Sequence, residues 1–199
     1  MTDCGVVLNE EHHVYVSPDF NTLQGVTGIL HKHLFPQMYA GVSEEVLKAA
    51  AERGTRVHKQ CEDFDNGNRE IVSDEVFNYA GICFEHDLHH EASEYIVTDG
   101  EHFASAIDKV YRVSDDEFIL ADIKTTATLN RDYVRWQLSI YADWFERQNK
   151  GAKVVALCAI WLRGDKCKFE AVNRVESEDV AELLRCEIEG KEYTHKELA

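Results

Sequence analysis

Phe118-Ile119-Leu120-Ala121-Asp122-Ile123-Lys124 ends an apolar run with an acid and an ammonium group two positions apart. Side chains alternate along a strand, so Phe118, Leu120, Asp122 and Lys124 share one face while Ile119, Ala121 and Ile123 take the other. Upstream, Phe103–Val113 reads as a partner strand joined to Glu117–Thr125 through the turn Ser114-Asp115-Asp116. With that three-residue loop, Val113 faces Glu117, Val110 faces Leu120 and Asp108 faces Asp122, which sets two carboxylates about 4.5–5.5 Å apart at Cβ. Like charges at that spacing beside an apolar wall are destabilising unless a cation lies between them. A divalent ion held by one or two carboxylates, water and a substrate phosphate is the chemistry this pattern suggests. Lys124, on the same face, would then steady a water molecule or charge developing on the phosphate. Asp-x-Lys is a common tripeptide, and taken alone it reads more often as a buried Asp122–Lys124 ion pair at a strand end, with Asp108 solvated.

The elements that must position these groups follow from periodicity and capping. Gly5 to Pro18 reads as a hydrophobic strand and turn, and Val26-Thr27-Gly28-Ile29-Leu30 opens a short segment ending near Pro36. Ser43 is an N-cap with Glu44 and Glu45 in the first turn, and Val46, Leu47, Ala50, Ala51, Gly54, Val57, His58 and Cys61 recur at helical spacing. His58 therefore lies on a buried stripe, where an isolated histidine is ordinarily a hydrogen-bonded core residue. Asp65-Asn66-Gly67-Asn68 signals a turn, followed by a helix expected to put Val76, Phe77, Ala80, Phe84 and Leu88 on one side. Asn130 caps a long amphipathic helix carrying Tyr133, Trp136, Gln137, Ile140, Tyr141 and Trp144, closed by Asn149-Lys150-Gly151. Lys153–Arg163 and Lys166–Val172 form two more strands, and Ser177 begins a last acidic helix. The expected fold is a single α+β domain over residues 1–199, with a central mixed sheet flanked by helices.

In this order, Gly54-x-x-x-His58, Glu94, Ile107-Asp108, Asp122-Ile123-Lys124-Thr125 and Gln137-x-x-x-Tyr141 resemble the RecB-like and lambda-exonuclease-like branch of the PD-(D/E)XK nuclease superfamily. The likeness runs from about Val26 to about Arg163, with Val26-Thr27 and Ala51-Glu52-Arg53-Gly54-Thr55-Arg56-Val57-His58 adding to it. The resemblance implies an α/β/α restriction-endonuclease-like architecture and a metal-dependent deoxyribonuclease. In that case Asp108 and Asp122 would ligate Mg²⁺ or Mn²⁺, Ile123 would offer its carbonyl and Lys124 would position or activate the attacking water. His58 would be a ligand or close neighbour, and Glu94 a ligand or a base beside it. Gln137 and Tyr141, four apart on one helix face, would touch the DNA strand or brace the motif strand. Arg53, Arg56 and Thr125 complete the expected substrate contacts, and Gly54 would let another backbone come close. Such proteins often carry a glycine three residues before the first acid, where this chain has Ser105. The resemblance further implies an exonuclease trimming DNA ends in recombination or repair, in a bacterial cytoplasm and phage-encoded or bacterial. A recombination or annealing protein and further copies of the chain would be its partners.

Composition sets limits. The chain has 199 residues and a formal charge of −16, with Arg53, Arg56, Lys109, Lys124, Arg131 and Arg135 as the cations near the motifs. That acid excess opposes a broad grip on phosphates, which depends on many Lys and Arg contacts. It favours an alternative, a non-catalytic nuclease-fold binding subunit or an acidic DNA mimic; a mimic, however, has no use for a lysine beside paired acids. The longest apolar run, Val154 to Leu162, is too short to span a bilayer. The six cysteines lack C-x-x-C spacing, which points to reduced thiols rather than an iron–sulfur or zinc site. His86 and His90, four apart in an apparent helix, have a spacing zinc sites use but signal no third ligand. His12-His13 and His31-x-His33 carry no such signal.

Overall fold

Alternating apolar residues between His89 and Val172 build a five-stranded sheet. In the computed structural model, which describes residues 1–9 and 14–194, its strands are β4 (His89–Thr98), β5 (Ala104–Arg112), β6 (Glu117–Lys124), β7 (Lys153–Arg163) and β8 (Lys166–Val172). Their spatial order is β4-β5-β6-β7-β8. Neighbours run antiparallel except β6 and β7, which are parallel and joined by helix α4 (Arg131–Gln148). A smaller antiparallel sheet near the N-terminus contains β1 (Val7–Asn9), β2 (Val14–Val16) and β3 (Thr22–Leu23), where the sequence pattern suggested one strand and a turn. The His12-His13 pair lies outside the described residues.

Both faces of the large sheet are covered, which gives three layers. Val110, Phe118, Leu120, Leu157 and Ala159 point into a core shared with α1 (Val26–His33), α4 and α5 (Ser177–Glu189). Tyr111, Ala121, Ile123, Cys158 and Ile160 pack against α2 (Glu44–Asp65) and α3 (Asp74–Glu85) on the other face. The caps are those the sequence signals: Ser43 accepts from the Val46 N–H on α2, and Asn130 from the Tyr133 N–H on α4. Among the described residues, no helix is long and apolar enough to cross a membrane.

Three expectations change. On α3 the buried residues are Val76, Tyr79 and Ile82, while Phe77 and Phe84 stand 65% and 90% exposed. Tyr79 can take the inner position because its hydroxyl is bonded to Asp65 and Tyr111. His86 and His90 do not share a helix, because α3 ends at Glu85; His86 packs on the Phe169 ring and His90, in β4, bonds Ser93. Finally, the β5–β6 ladder keeps the expected register, Val110 opposite Leu120, but stops at Lys109 opposite Ala121, one pair short of Asp108 and Asp122.

Lys109, counted from sequence among the cations near the motifs, is buried on the α2 face at 2% exposure. Its ammonium donates to Asp65 and to Ser93, each at 2.7 Å, so the last residue of α2 is tied to the middle of β5. Breaking one side of a buried, hydrogen-bonded ion pair leaves the other charge without compensation. Lys109→Met is expected to cost about 3–5 kcal/mol of stability in urea unfolding; a loss below about 1 kcal/mol would show that this pair does not hold the two layers together.

Candidate functional site

The site forms where the β5–β6 ladder gives way, around the main chain of Ile123. A continued ladder would give the Ile123 N–H to the backbone of β5; instead Asp108 Oδ2 accepts it at 2.7 Å. The Ile123 carbonyl, expected as a metal ligand, accepts from His58 Nε2 at 2.9 Å. A carbonyl only accepts, so Nε2 carries the proton and Nδ1 is left facing the acids, 3.6 Å from Asp108 and 3.8 Å from Glu94. The main chain of one residue on β6 thus orients both a carboxylate of β5, through its N–H, and an imidazole of α2, through its carbonyl.

Glu94 comes from β4. Ser93 pairs with Lys109 and Tyr95 with Ile107, so Glu94 takes the register position opposite Asp108. Its φ is +49°, a left-handed conformation that non-glycine residues rarely adopt and that costs about 1–3 kcal/mol where it persists. His58, Glu94 and Asp108 each offer a ligand atom within 4.8 Å of the others. An imidazole nitrogen and two carboxylates suit Mn²⁺ more closely than Mg²⁺, which prefers an all-oxygen shell. The hydrogen bond from His58 to Ile123 is the kind of outer contact that fixes a ligating histidine's tautomer.

Asp122 and Lys124 continue the α4-facing side of β6. Lys124 Nζ lies 2.9 Å from Asp122 Oδ1 and 2.7 Å from Oδ2, although only Oδ1 is placed to accept a hydrogen bond. The ammonium also donates to Gln137 Oε1 at 3.1 Å; Gln137 Nε2 donates to the Tyr141 hydroxyl at 2.9 Å, which lies 2.8 Å from Ser105 Oγ. Gln137, Tyr141 and Ser105 are all buried, so they form a chain that braces Lys124 from α4. Burial raises the Asp122 carboxyl, as does neighbouring Asp108, while Lys124 and His58 pull the other way. Burial works against the Lys124 charge, but Asp122 and Asp108 outweigh it and raise its pKa, so Lys124 stays an ammonium.

The remaining expected contacts divide. Arg53 donates from Nη2 to the Thr125 carbonyl at 2.7 Å, tying α2 to the end of β6. Thr125 is buried beside Gly54, where an added Cβ would meet Thr125 Oγ1 at an ordinary 3.5 Å. Gly54 therefore lies against this chain's own loop, with no close approach that demands glycine. Arg56 is exposed. What sequence reading missed is the support: Asp65 lies seven residues after His58 on the same face of α2, and its partner Lys109 directly follows Asp108. The seven-residue spacing was the available signal.

No protein-family model matches the chain, and no curated protein does. Among solved structures, the crystal structure of SSO0001 is similar, with a TM-score of 0.50 and 16% identity over 84% of this chain and 75% of that one. At that identity the likeness is one of fold.

Burial opposes a charge on His58, yet Asp108, Glu94 and Asp122 together push the metal-free imidazole up to about 9. A folded-state pKa above the unfolded value of about 6.5 adds stability that is complete below pH ~6.5 and fades as the pH rises through the folded value. In EDTA, the urea midpoint of the wild type should fall between pH 6.5 and 9 more steeply than that of His58→Gln. Parallel pH profiles would show that His58 carries no such charge.

Proposed function

We propose that the protein is a metal-dependent DNA nuclease, with Mn²⁺ or Mg²⁺ as cofactor, that hydrolyses phosphodiesters at DNA ends. The observation that carries this reading is an ammonium group, Lys124, fixed 2.7 Å from a buried carboxylate beside a converging His58, Glu94 and Asp108 set. His58, Glu94 and Asp108 would hold the cation, with Asp122 as the next carboxylate in reach. When bound, the ion would supply Lewis-acid polarisation of the phosphate and a lowered pKa for water. Asp122 and Gln137 hold the Lys124 side chain, and its raised pKa makes it a hydrogen-bond donor rather than a base. Its role would be to orient the attacking water and to meet charge developing on the phosphate. Ile123 would orient Asp108 through its main-chain N–H and His58 through its carbonyl, and Arg53 fixes the Thr125 loop that follows Lys124.

The preference for an exonuclease of recombination or repair, phage or bacterial, rests on the resemblance of the motif set. The −16 charge supports a second reading, a binding subunit or DNA mimic that keeps the fold without catalysis. Digestion of end-labelled linear and circular DNA with Mn²⁺ separates the two. The nuclease reading expects linear DNA to be degraded from its ends, EDTA to stop the reaction, and Asp108→Asn, Asp122→Asn and Lys124→Ala each to lose at least about 100-fold in rate. Full activity in any of the three variants contradicts the assignment.

A further inference from the structure

On the α4 side of Lys124 is a cavity of about 170 Å³, lined by Tyr39, Tyr133, Met38, Thr27, Asn130 and Lys124 itself. It is smaller than the roughly 300–1,000 Å³ of sites for drug-sized ligands, so it has room for about one ring system. Its walls suit a flat aromatic guest: two phenol rings and a thioether for stacking, with hydroxyl and amide groups between them. The Lys124 ammonium lies 5.4 Å from the centroid of the Tyr133 ring, so cavity and reaction centre share this residue. His31 touches both tyrosine rings, with centroids 5.2 Å from Tyr39 and 5.6 Å from Tyr133. Its Nε2 is buried and, among the described residues, has no hydrogen-bond partner. His31 does not itself line the cavity, so it is the two tyrosine rings it packs against, and not this nitrogen, that a guest would meet.

Charge narrows the class of guest. A protein at −16 gains little from counterion release along a duplex, and of the six cations near the motifs Lys109 is buried against Asp65 and Lys124 against Asp122. Affinity for a nucleic acid must then come from base stacking, which needs no net positive charge. A base pair does not fit a space for one ring system. Resting on the nuclease reading above, we propose that this cavity takes one unpaired nucleobase at the end of the strand whose phosphate lies at Lys124, so that the substrate is a single-stranded or frayed DNA end rather than intact duplex.

The test is equilibrium binding of oligonucleotides carrying 2-aminopurine at the terminal position, with Ca²⁺ in place of Mn²⁺. One probe is single-stranded and the other is the same strand closed in a blunt hairpin. The single strand is expected to bind at least about tenfold more tightly than the hairpin, with quenching of the terminal base. Tyr39, 43% exposed, can be changed without opening the core. Tyr39→Ala should weaken single-strand binding about 5- to 150-fold, the range for losing one stacked base. Tyr39→Phe should restore it, because the ring and not the hydroxyl is what stacks. Equal affinity for the two probes, or a Tyr39→Ala variant that binds like wild type, overturns the proposal. Binding requires no hydrolysis, so the two readings can fail separately. Tyr39-dependent capture of single strands without cleavage in Mn²⁺ sinks the nuclease and keeps the cavity. Equal cleavage of blunt and single-stranded ends, unaffected by Tyr39→Ala, does the reverse.

Discussion

Glu94 and Asp108 converge with His58 at one end of the sheet, where a third carboxylate, Asp122, adds its charge and is paired with the Lys124 ammonium. Much of the surrounding structure is arranged to hold that imbalance. Asp108 accepts a main-chain N–H from β6, Asp122 is tied to Lys124, and His58 turns a ring nitrogen toward the acids. In a partly buried setting like charges repel more strongly than in water, so these bonds oppose a real tendency of the strands to separate. The left-handed backbone at Glu94 is a further cost, one usually met where a side chain must be aimed rather than merely accommodated.

The support behind the site follows from the same demand. Lys109 and Asp65 form the ion pair that ties α2 to β5, and their neighbours in sequence are site residues: Asp108 directly, His58 two turns away. On the other face the chain Lys124–Gln137–Tyr141–Ser105 ties α4 to β6 and β5. Two polar braces, one on each face of the sheet, fix the depth at which His58, Asp108 and Lys124 meet. Such networks are stabilising only when every member has a partner; along these two chains of bonds each named group has one.

Much of this was legible in the sequence because it follows from periodicity. Alternation in β6 put Asp122 and Lys124 on one face, capping residues set the starts of α2 and α4, and the turn after Val113 fixed the register of Val110 against Leu120. The illegible parts are those where a polar group replaces a regular partner. Nothing in the spacing shows that the Asp108 side chain takes the bond that the backbone of β5 would have made to Ile123, so the ladder looked one pair longer than it is. Lys109 looked like a solvated cation because its partner lies 44 residues away, on another element. On α3, Phe77 and Phe84 matched a helical stripe with Val76 as well as Tyr79 and Ile82 do; the buried side is the one where a tyrosine hydroxyl is satisfied inside the core. Glu94, the candidate ligand least marked in the sequence, has no motif around it, and its place comes from the pairing of its neighbours Ser93 and Tyr95 with β5.

The account rests on the acids of β4 and β5 needing a bound dication. Isothermal titration of the metal-free protein with Mn²⁺, for wild type and for Glu94→Gln, tests this most directly. One site per chain in the wild type, with affinity reduced about 10- to 100-fold by the single loss of charge, is the predicted result. No binding by the wild type, or unchanged binding by the variant, would contradict it.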